Sequence, residues 1–297
     1  MDINKENLRA VTQGYTTVFN NAFSAAAALY GRVAMEVPSN SASNTYGWLG
    51  KTTRFRKWLG DRVVQNLKTH QYTILNEKFE DTVAVGKDDI EDDTYGTYRP
   101  MFEMLGHDAA MHPDELVFDL MKNGFDSTCY DGQYFFDTDH PVIGNDGQEV
   151  SVSNFQDGAG DAWFLLDVSK PIRPFIFQKR RDYNFVAKDN PEDDNVFWKD
   201  EFVYGVDARV AAGYALWQLA FGSKAALDNT NYQAARAAMM SVKGDNGKPL
   251  GVRPNLLVVP PSLEAAAKEI LEAERKANGA TNTERNTAEL LVVPYLA

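Results

Sequence analysis

Between Tyr46 and Asp93 the sign of the charge reverses once, and that reversal constrains the chain more than any other feature of its sequence. Lys51, Arg54, Arg56, Lys57, Arg62 and Lys68 stand against the single acid Asp61, leaving that span about five units positive. Glu77, Glu80, Asp81, Asp88, Asp89, Glu91, Asp92 and Asp93 then stand against Lys78 and Lys87, about six units negative. Val63, Val64, Tyr72, Ile74, Phe79, Val83 and Val85 are strand-forming positions, so the reversal falls on a predicted hairpin. Opposite charges on separate surfaces steer and register association more than they add affinity. A head-to-tail contact that closes on itself builds rings or shells. The same pattern also suits a solvated hairpin with ordinary surface charge.

The rest of the composition narrows the classes. A chain of 297 residues with 44% hydrophobic and 24% charged residues can bury a substantial core. No apolar run approaches the length needed to span a bilayer, and the start Met1-Asp2-Ile3-Asn4-Lys5-Glu6 lacks the apolar stretch of a secretory signal, so no membrane partner is expected. The single Cys129 excludes an internal disulfide and a multi-cysteine metal module. A net charge of -12 repels a phosphate backbone, whose capture relies on Lys and Arg. Direct nucleic-acid binding is therefore not expected as the main role, and little salt-sensitive DNA binding is expected of it; like charge would suit a surface that faces nucleic acid only if it does so without adhering.

Along the chain, Leu8, Val11, Tyr15, Val18, Phe19 and Phe23 recur at mostly helical spacing, and Pro38 to Asn44 breaks that pattern. Met101, Met104, Leu105 and Ala109, then Leu116, Val117, Leu120 and Met121, predict a helix in two pieces divided at Pro113, with Asp114 and Glu115 favourably placed at the start of the second. Gly124 is the expected stop. Cys129 to Val142 reads as an irregular excursion with tight turns at Asp131-Gly132 and Asp146-Gly147. Ile172 to Gln178, Tyr183 to Ala187 and Val196 to Tyr204 read as antiparallel strands, and Val206 to Phe221 as a buried helix. Beyond it come a helix at 232–240, a strand at 256–259, a helix at 262–276 and a strand at 290–293, a small strand-helix-strand unit.

Catalytic and metal-binding patterns are weak. Asp137, Asp139 and His140 offer ligand types for a cation, and a metal-dependent hydrolase is the alternative they raise. Neighbouring positions of an extended segment point to opposite faces, however, so Asp137 and Asp139 are expected to accept backbone amides in a turn. Cys129 would need a histidine beside it to act as a nucleophile, and nothing in the sequence places His70, His107, His112 or His140 there. Phosphate loops and dinucleotide fingerprints are absent, so no cofactor and no enzyme activity are expected. Lys179-Arg180-Arg181 is the sharpest basic cluster outside the hairpin and could meet DNA; it reads first as a solvated strand end, and in a shell its alternative role is to pair with Glu192, Asp193 and Asp194 of a neighbouring copy.

Seven blocks in order resemble the Mu-like prophage major head subunit family of tailed-phage capsid proteins. They are Trp48-Leu49-Gly50, Trp58-Leu59-Gly60-Asp61-Arg62, Asp88 to Asp93, Tyr130-Asp131-Gly132-Gln133, Phe135 to Pro141, Tyr204 to Arg209 and Arg253 to Pro261. The resemblance implies an α+β chain with the tailed-phage capsid, or Hong Kong 97-like, fold: an N-terminal arm (1–45), an extended hairpin loop with flanking strands (46–93, the loop itself 51–85), a peripheral domain (94–228) and an axial domain (229–297). Within the peripheral domain the spine helix is expected at 97–123, the long strands at 172–204 and a helix at 206–221 beside them. Many relatives place the axial segment before the long strands, so a permuted order is expected here.

The function implied is that of a major capsid protein, assembled in the host bacterial cytoplasm into pentamers and hexamers of an icosahedral virion shell around double-stranded DNA. A portal at one vertex is implied, as is a separate scaffold protein, because only about forty-five residues precede the hairpin. A non-viral, cargo-enclosing shell of the same fold is the alternative. Inter-subunit contacts are expected from Arg54, Arg56, Lys57 and Arg62 to Asp88, Asp89, Asp92 and Asp93, with Trp48 and Trp58 as apolar anchors.

Overall fold

The computed structural model of the chain describes residues 5–49, 72–92, 96–144, 146–244, 247–276 and 278–297. The basic run with Arg54, Arg56, Lys57, Trp58 and Arg62 lies outside the described residues, as does Asp93.

Helix α1 (Lys5–Ala25) and the single turn α2 (Tyr30–Val33) lead into strand β1 (Ala34–Pro38). The short β2 (Ser43–Thr45) pairs antiparallel with β3 (Thr73–Leu75). Strand β4 (Glu77–Gly86), helix α3 (Lys87–Asp92) and the long helix α4 (Arg99–Lys122) follow. After an irregular segment come the hairpin β5 (His140–Ile143) with β6 (Glu149–Val152), then β7 (Phe155–Gln156) and β8 (Trp163–Leu166). Two fourteen-residue strands, β9 (Phe175–Lys188) and β10 (Glu201–Tyr214), bracket helix α5 (Asp194–Lys199). The chain ends through β11 (Ala220–Ser223), α6 (Asn229–Ser241), β12 (Lys243–Gly244), β13 (Lys248–Pro249), β14 (Leu256–Val259), α7 (Glu264–Leu271) and β15 (Glu289–Val292).

The first sheet runs β1-β9-β10-β4, with β1 parallel to β9 and the other pairs antiparallel. Phe202, Tyr204, Val206, Ala208 and Val210 of β10 are buried while the residues between them are half-buried, the period of two expected of a sheet with one covered face. Its cover over Tyr204 and Val206 is α4 and α1: Tyr15 stacks on Phe102 at 4.0 Å, and Tyr204 meets Phe102 edge-on at 5.0 Å. The two helices touch through their backbones at Gly106, where a Cβ atom would lie 2.4 Å from the carbonyl oxygen of Phe19.

Four expectations are corrected here. Val206 to Phe221 is not a helix: its first half continues β10, and Trp217, Leu219 and Phe221, which gave it helical spacing, belong to a 3₁₀ turn and to β11. The two strands expected at 172–178 and 183–187 are one strand, β9. Val196 to Lys199 is helical and the next strand starts at Glu201, because Asp200 takes the left-handed conformation (φ 55°) and its amide caps Val196. Pro113 does not divide α4, which runs unbroken from Arg99 to Lys122. Asp114 does not cap a second piece; its carboxylate accepts the amides of Leu29 and Tyr30 at 2.6–2.8 Å, fixing the start of α2.

The second sheet runs β15-β14-β8-β11-β7. Every residue of β8, β11 and β14 is buried, which is why Trp163-Phe164-Leu165-Leu166 and Leu256-Leu257-Val258-Val259 are unbroken apolar runs. Trp163, Leu165, Leu257 and Val259 face α6 and α7, while Phe164, Leu166, Leu256 and Val258 face a core shared with Phe175, Ile176 and Phe177 of β9. The boundary expected at 229 therefore cuts one unit, since β7, β8 and β11 precede it. Nor does that unit simply come last: the β9–β10 arm is inserted between its neighbouring strands β8 and β11. The arm joins the sheet at a neck closed by Asp167 N–H to Leu219 C=O and Ala215 N–H to Pro174 C=O, both 2.8 Å.

Candidate assembly surfaces

At the far end of the arm, local sequence forces unlike groups together. Helix α3 turns Ile90 inward, into a core with Val85, Val196 and Phe202, and leaves Asp88, Asp89 and Asp92 exposed. Helix α5 spends its one inward position on Val196, so the adjacent Phe197 and Trp198 point to solvent at 74% and 77% exposure. Their rings meet edge-on at 4.9 Å. The two helices are neighbours: the Lys87 amide donates to the Asp200 carbonyl at 2.9 Å, and Lys87 Nζ lies 3.7 Å from Asp200 Oδ1. Asn195 closes the turn by donating to Lys188 and Glu201 carbonyls at 3.0 and 2.8 Å. The aromatic pair was missed because Trp198 read as a strand residue; the signal available was Asp193-Asp194 ahead of an apolar triplet and Lys199, the charge order of a short helix.

Trp48 is 37% exposed and sits edge-on to Tyr46 at 6.0 Å. Tyr46 donates to the buried Gln178 at 2.8 Å, and Gln178 donates to Ile74 C=O and Asn76 Oδ1. One β9 side chain thus ties down both ends of the undescribed span 50–71.

The basic cluster is largely engaged within the chain. Lys179 pairs with Glu36 at 2.9 Å and Asp182 at 3.1 Å, and Arg181 pairs with Asp207. Arg180 is exposed and makes no ion pair among the described residues. Glu192, Asp193 and Asp194 lie at the opposite end of the arm, about 30 Å away at strand rise, and Asp193 accepts the Asn190 amide. Within one copy the two groups do not meet.

The excursion 126–154 brings together groups the sequence left apart. His140 is fully buried, stacked on Trp217 at 4.0 Å, with Nδ1 2.8 Å from Asp131 Oδ2 and Nε2 3.1 Å from Asn154 Oδ1. Cys129 donates to Asp131 Oδ1 at 3.1 Å, so a histidine does lie close to the cysteine. Burial raises the Asp131 carboxyl, but the hydrogen bond and charge of His140, with the Cys129 thiol and Gln133 amide, outweigh it and hold the group below the ordinary carboxylate range. Burial, with the charge of Asp131, pushes the Cys129 thiol up, which removes the thiolate a nucleophile needs. Cys129, Asp131 and His140 present ligand atoms within 4.8 Å of one another. Their donors and acceptors are already matched to each other, to Gln133 and to Asn154, the pattern of a structural tie rather than of a cation site. Asp137 accepts the amides of Tyr134 and Thr138, as expected of it, and Asp139 is exposed.

A helical arm laid over a spine helix, a sheet prolonged into a charged and aromatic-tipped arm, and a second sheet acting as hub define the chain as a tailed-phage capsid subunit of the Hong Kong 97-like fold. It is 41% identical over 305 residues to the major capsid protein of Escherichia phage Mu, covering 100% of both chains. It superposes on the chain of the bacteriophage JBD30 procapsid with a TM-score of 0.88 at 42% identity, covering 99% of this chain and 100% of that one. On the JBD30 capsid the TM-score is 0.82 at 35% identity, with 94% of each chain covered. The model of the Mu-like prophage major head subunit gpT family matches residues 8–296, and the chain belongs to that family. It is a major head subunit, a structural protein and not an enzyme.

Proposed function

We propose that many copies of this chain, as pentamers and hexamers, close into an icosahedral head that holds packaged double-stranded DNA, with a separate scaffold protein guiding assembly in the bacterial cytoplasm and a portal at one vertex. The observation that carries this reading is the whole-chain likeness to a procapsid subunit. The acidic balance of -12 suits a wall that confines DNA without adhering to it. Contacts between copies are charge-matched: Arg54, Arg56, Lys57 and Arg62 of one copy meet Asp88, Asp89, Asp92 and Asp93 of the next, with Trp48 and Trp58 as apolar anchors. Opposite charges across such a contact set its register. Of the Lys179 cluster, only Arg180 is left to reach Glu192, Asp193 or Asp194 of a neighbour.

Electron microscopy of the protein expressed with its scaffold tests the reading. Closed shells are expected from the native chain, and soluble, folded subunits without shells from the triple variant Arg54→Glu, Arg56→Glu, Lys57→Glu. Normal particles from that variant would refute the charge-matched contact.

A further inference from the structure

We infer that Phe197 and Trp198, together with the acids of α3, form a docking surface for a second copy of this chain, received through that copy's basic, aromatic segment 51–68. The inference rests on the assembly reading above and assigns its energetic centre to residues outside the acidic cluster. Two large aromatic side chains three-quarters exposed, side by side on a one-turn helix, contribute nothing to the subunit's own core. An apolar surface of that kind marks a contact when it is rimmed by polar groups; here Asp193, Asp194 and Lys199 flank the pair on α5, and α3, with Asp88, Asp89 and Asp92 exposed, is the neighbouring helix. The Lys87–Asp200 contact joins the two helices into one surface.

The acids of the two helices, Asp88, Asp89, Asp92, Asp193 and Asp194, outnumber Lys87 and Lys199, so tip-to-tip contact of two copies would set an excess of like charge against itself. The occupant must be cationic and must offer flat apolar groups. Segment 51–68 has that composition: Arg54, Arg56, Lys57 and Arg62, with Phe55 and Trp58 among them. Guanidinium groups stack on aromatic faces and pair with carboxylates at once, which an acid-rimmed Phe-Trp pair provides. Aromatic residues at the centre of a contact, with charges at its edge, are the usual distribution of binding energy.

Two experiments test this. In the first, the double variant Phe197→Ser, Trp198→Ser is expressed with the scaffold. Both side chains are exposed, so the subunit is expected to keep its far-ultraviolet circular dichroism. The concentration needed for shell formation is expected to rise by roughly thirtyfold or more, the effect of losing a dominant contact. Shells at the native concentration overturn the inference and leave the assembly reading intact; failure of the native chain itself to form shells refutes that reading instead. The second experiment needs no loss of assembly. Copies carrying Trp198→Cys are mixed with copies carrying Trp58→Cys, assembled and oxidised; Cys129 is buried and does not compete. A disulfide between the two kinds of copy supports the inference. A disulfide between two Trp198→Cys copies marks a tip-to-tip contact and overturns it, as does the absence of any cross-link in assembled shells.

Discussion

Asp131 is the residue on which the irregular excursion 126–154 turns. It accepts from a thiol, an amide and a buried imidazole, so removing its charge leaves the His140 ring facing a weaker partner. Losing a charged acceptor in a buried network costs about 1–3 kcal/mol. The variant Asp131→Asn is expected to unfold at lower temperature than the native chain at pH 7. Because the folded carboxyl is held below its unfolded value, the stabilisation is complete above about pH 4 and is lost as the pH falls through the lowered folded value. Thermal unfolding of both proteins from pH 7 to 3 should therefore show a gap that closes only below about pH 4. Sequence reading found the roles of Asp137 and of the turns at Gly132 and Gly147, both at positive φ, because these are local. It could not find the Cys129–Asp131–His140 contact, whose geometry depends on Asn154 and Trp217 arriving from elsewhere in the chain.

Among the elements, helix α4 was legible because its buried stripe persists for six turns; Pro113 misled because a missing amide weakens a helix locally without ending it when the flanking turns are packed. Strand β10 was misread in its second half for the opposite reason. A strand running into a buried 3₁₀ turn yields consecutive apolar residues with no polar beat, and periodicity cannot then separate strand from helix. The seating of α1 on α4 has one narrow point, Gly106. Helix propensity favours alanine there by about 1 kcal/mol. The added methyl, however, would stand 2.4 Å from a backbone oxygen, and overpacking of that kind costs about 1–3 kcal/mol. Gly106→Ala is therefore expected to lower the unfolding temperature and to speed hydrogen exchange in α1 more than in α4. Unchanged exchange in α1 would show that the two helices can part without loss.

For the whole molecule, the order of strands decides cooperativity. The four-stranded and five-stranded sheets share one core, in which Phe175, Ile176 and Phe177 of the arm meet Phe164, Leu166 and Leu256 of the hub. Calorimetry of the free subunit is expected to give one transition, with equal calorimetric and van't Hoff enthalpies; two separated peaks would mean that the shared core does not couple the sheets. The sequence resemblance led to the fold but not to this interleaving, because a boundary drawn from local patterns cannot see that β8 and β11 are neighbours across more than fifty residues of intervening chain.

The neck at Asp167–Leu219 and Pro174–Ala215 has a mechanical meaning. Both ends of the long arm leave the hub side by side, through two strands already bonded to each other. A load on the tip would therefore pass to a root held in two ways, by the paired strands of the neck and by the core that Phe175, Ile176 and Phe177 share with the hub.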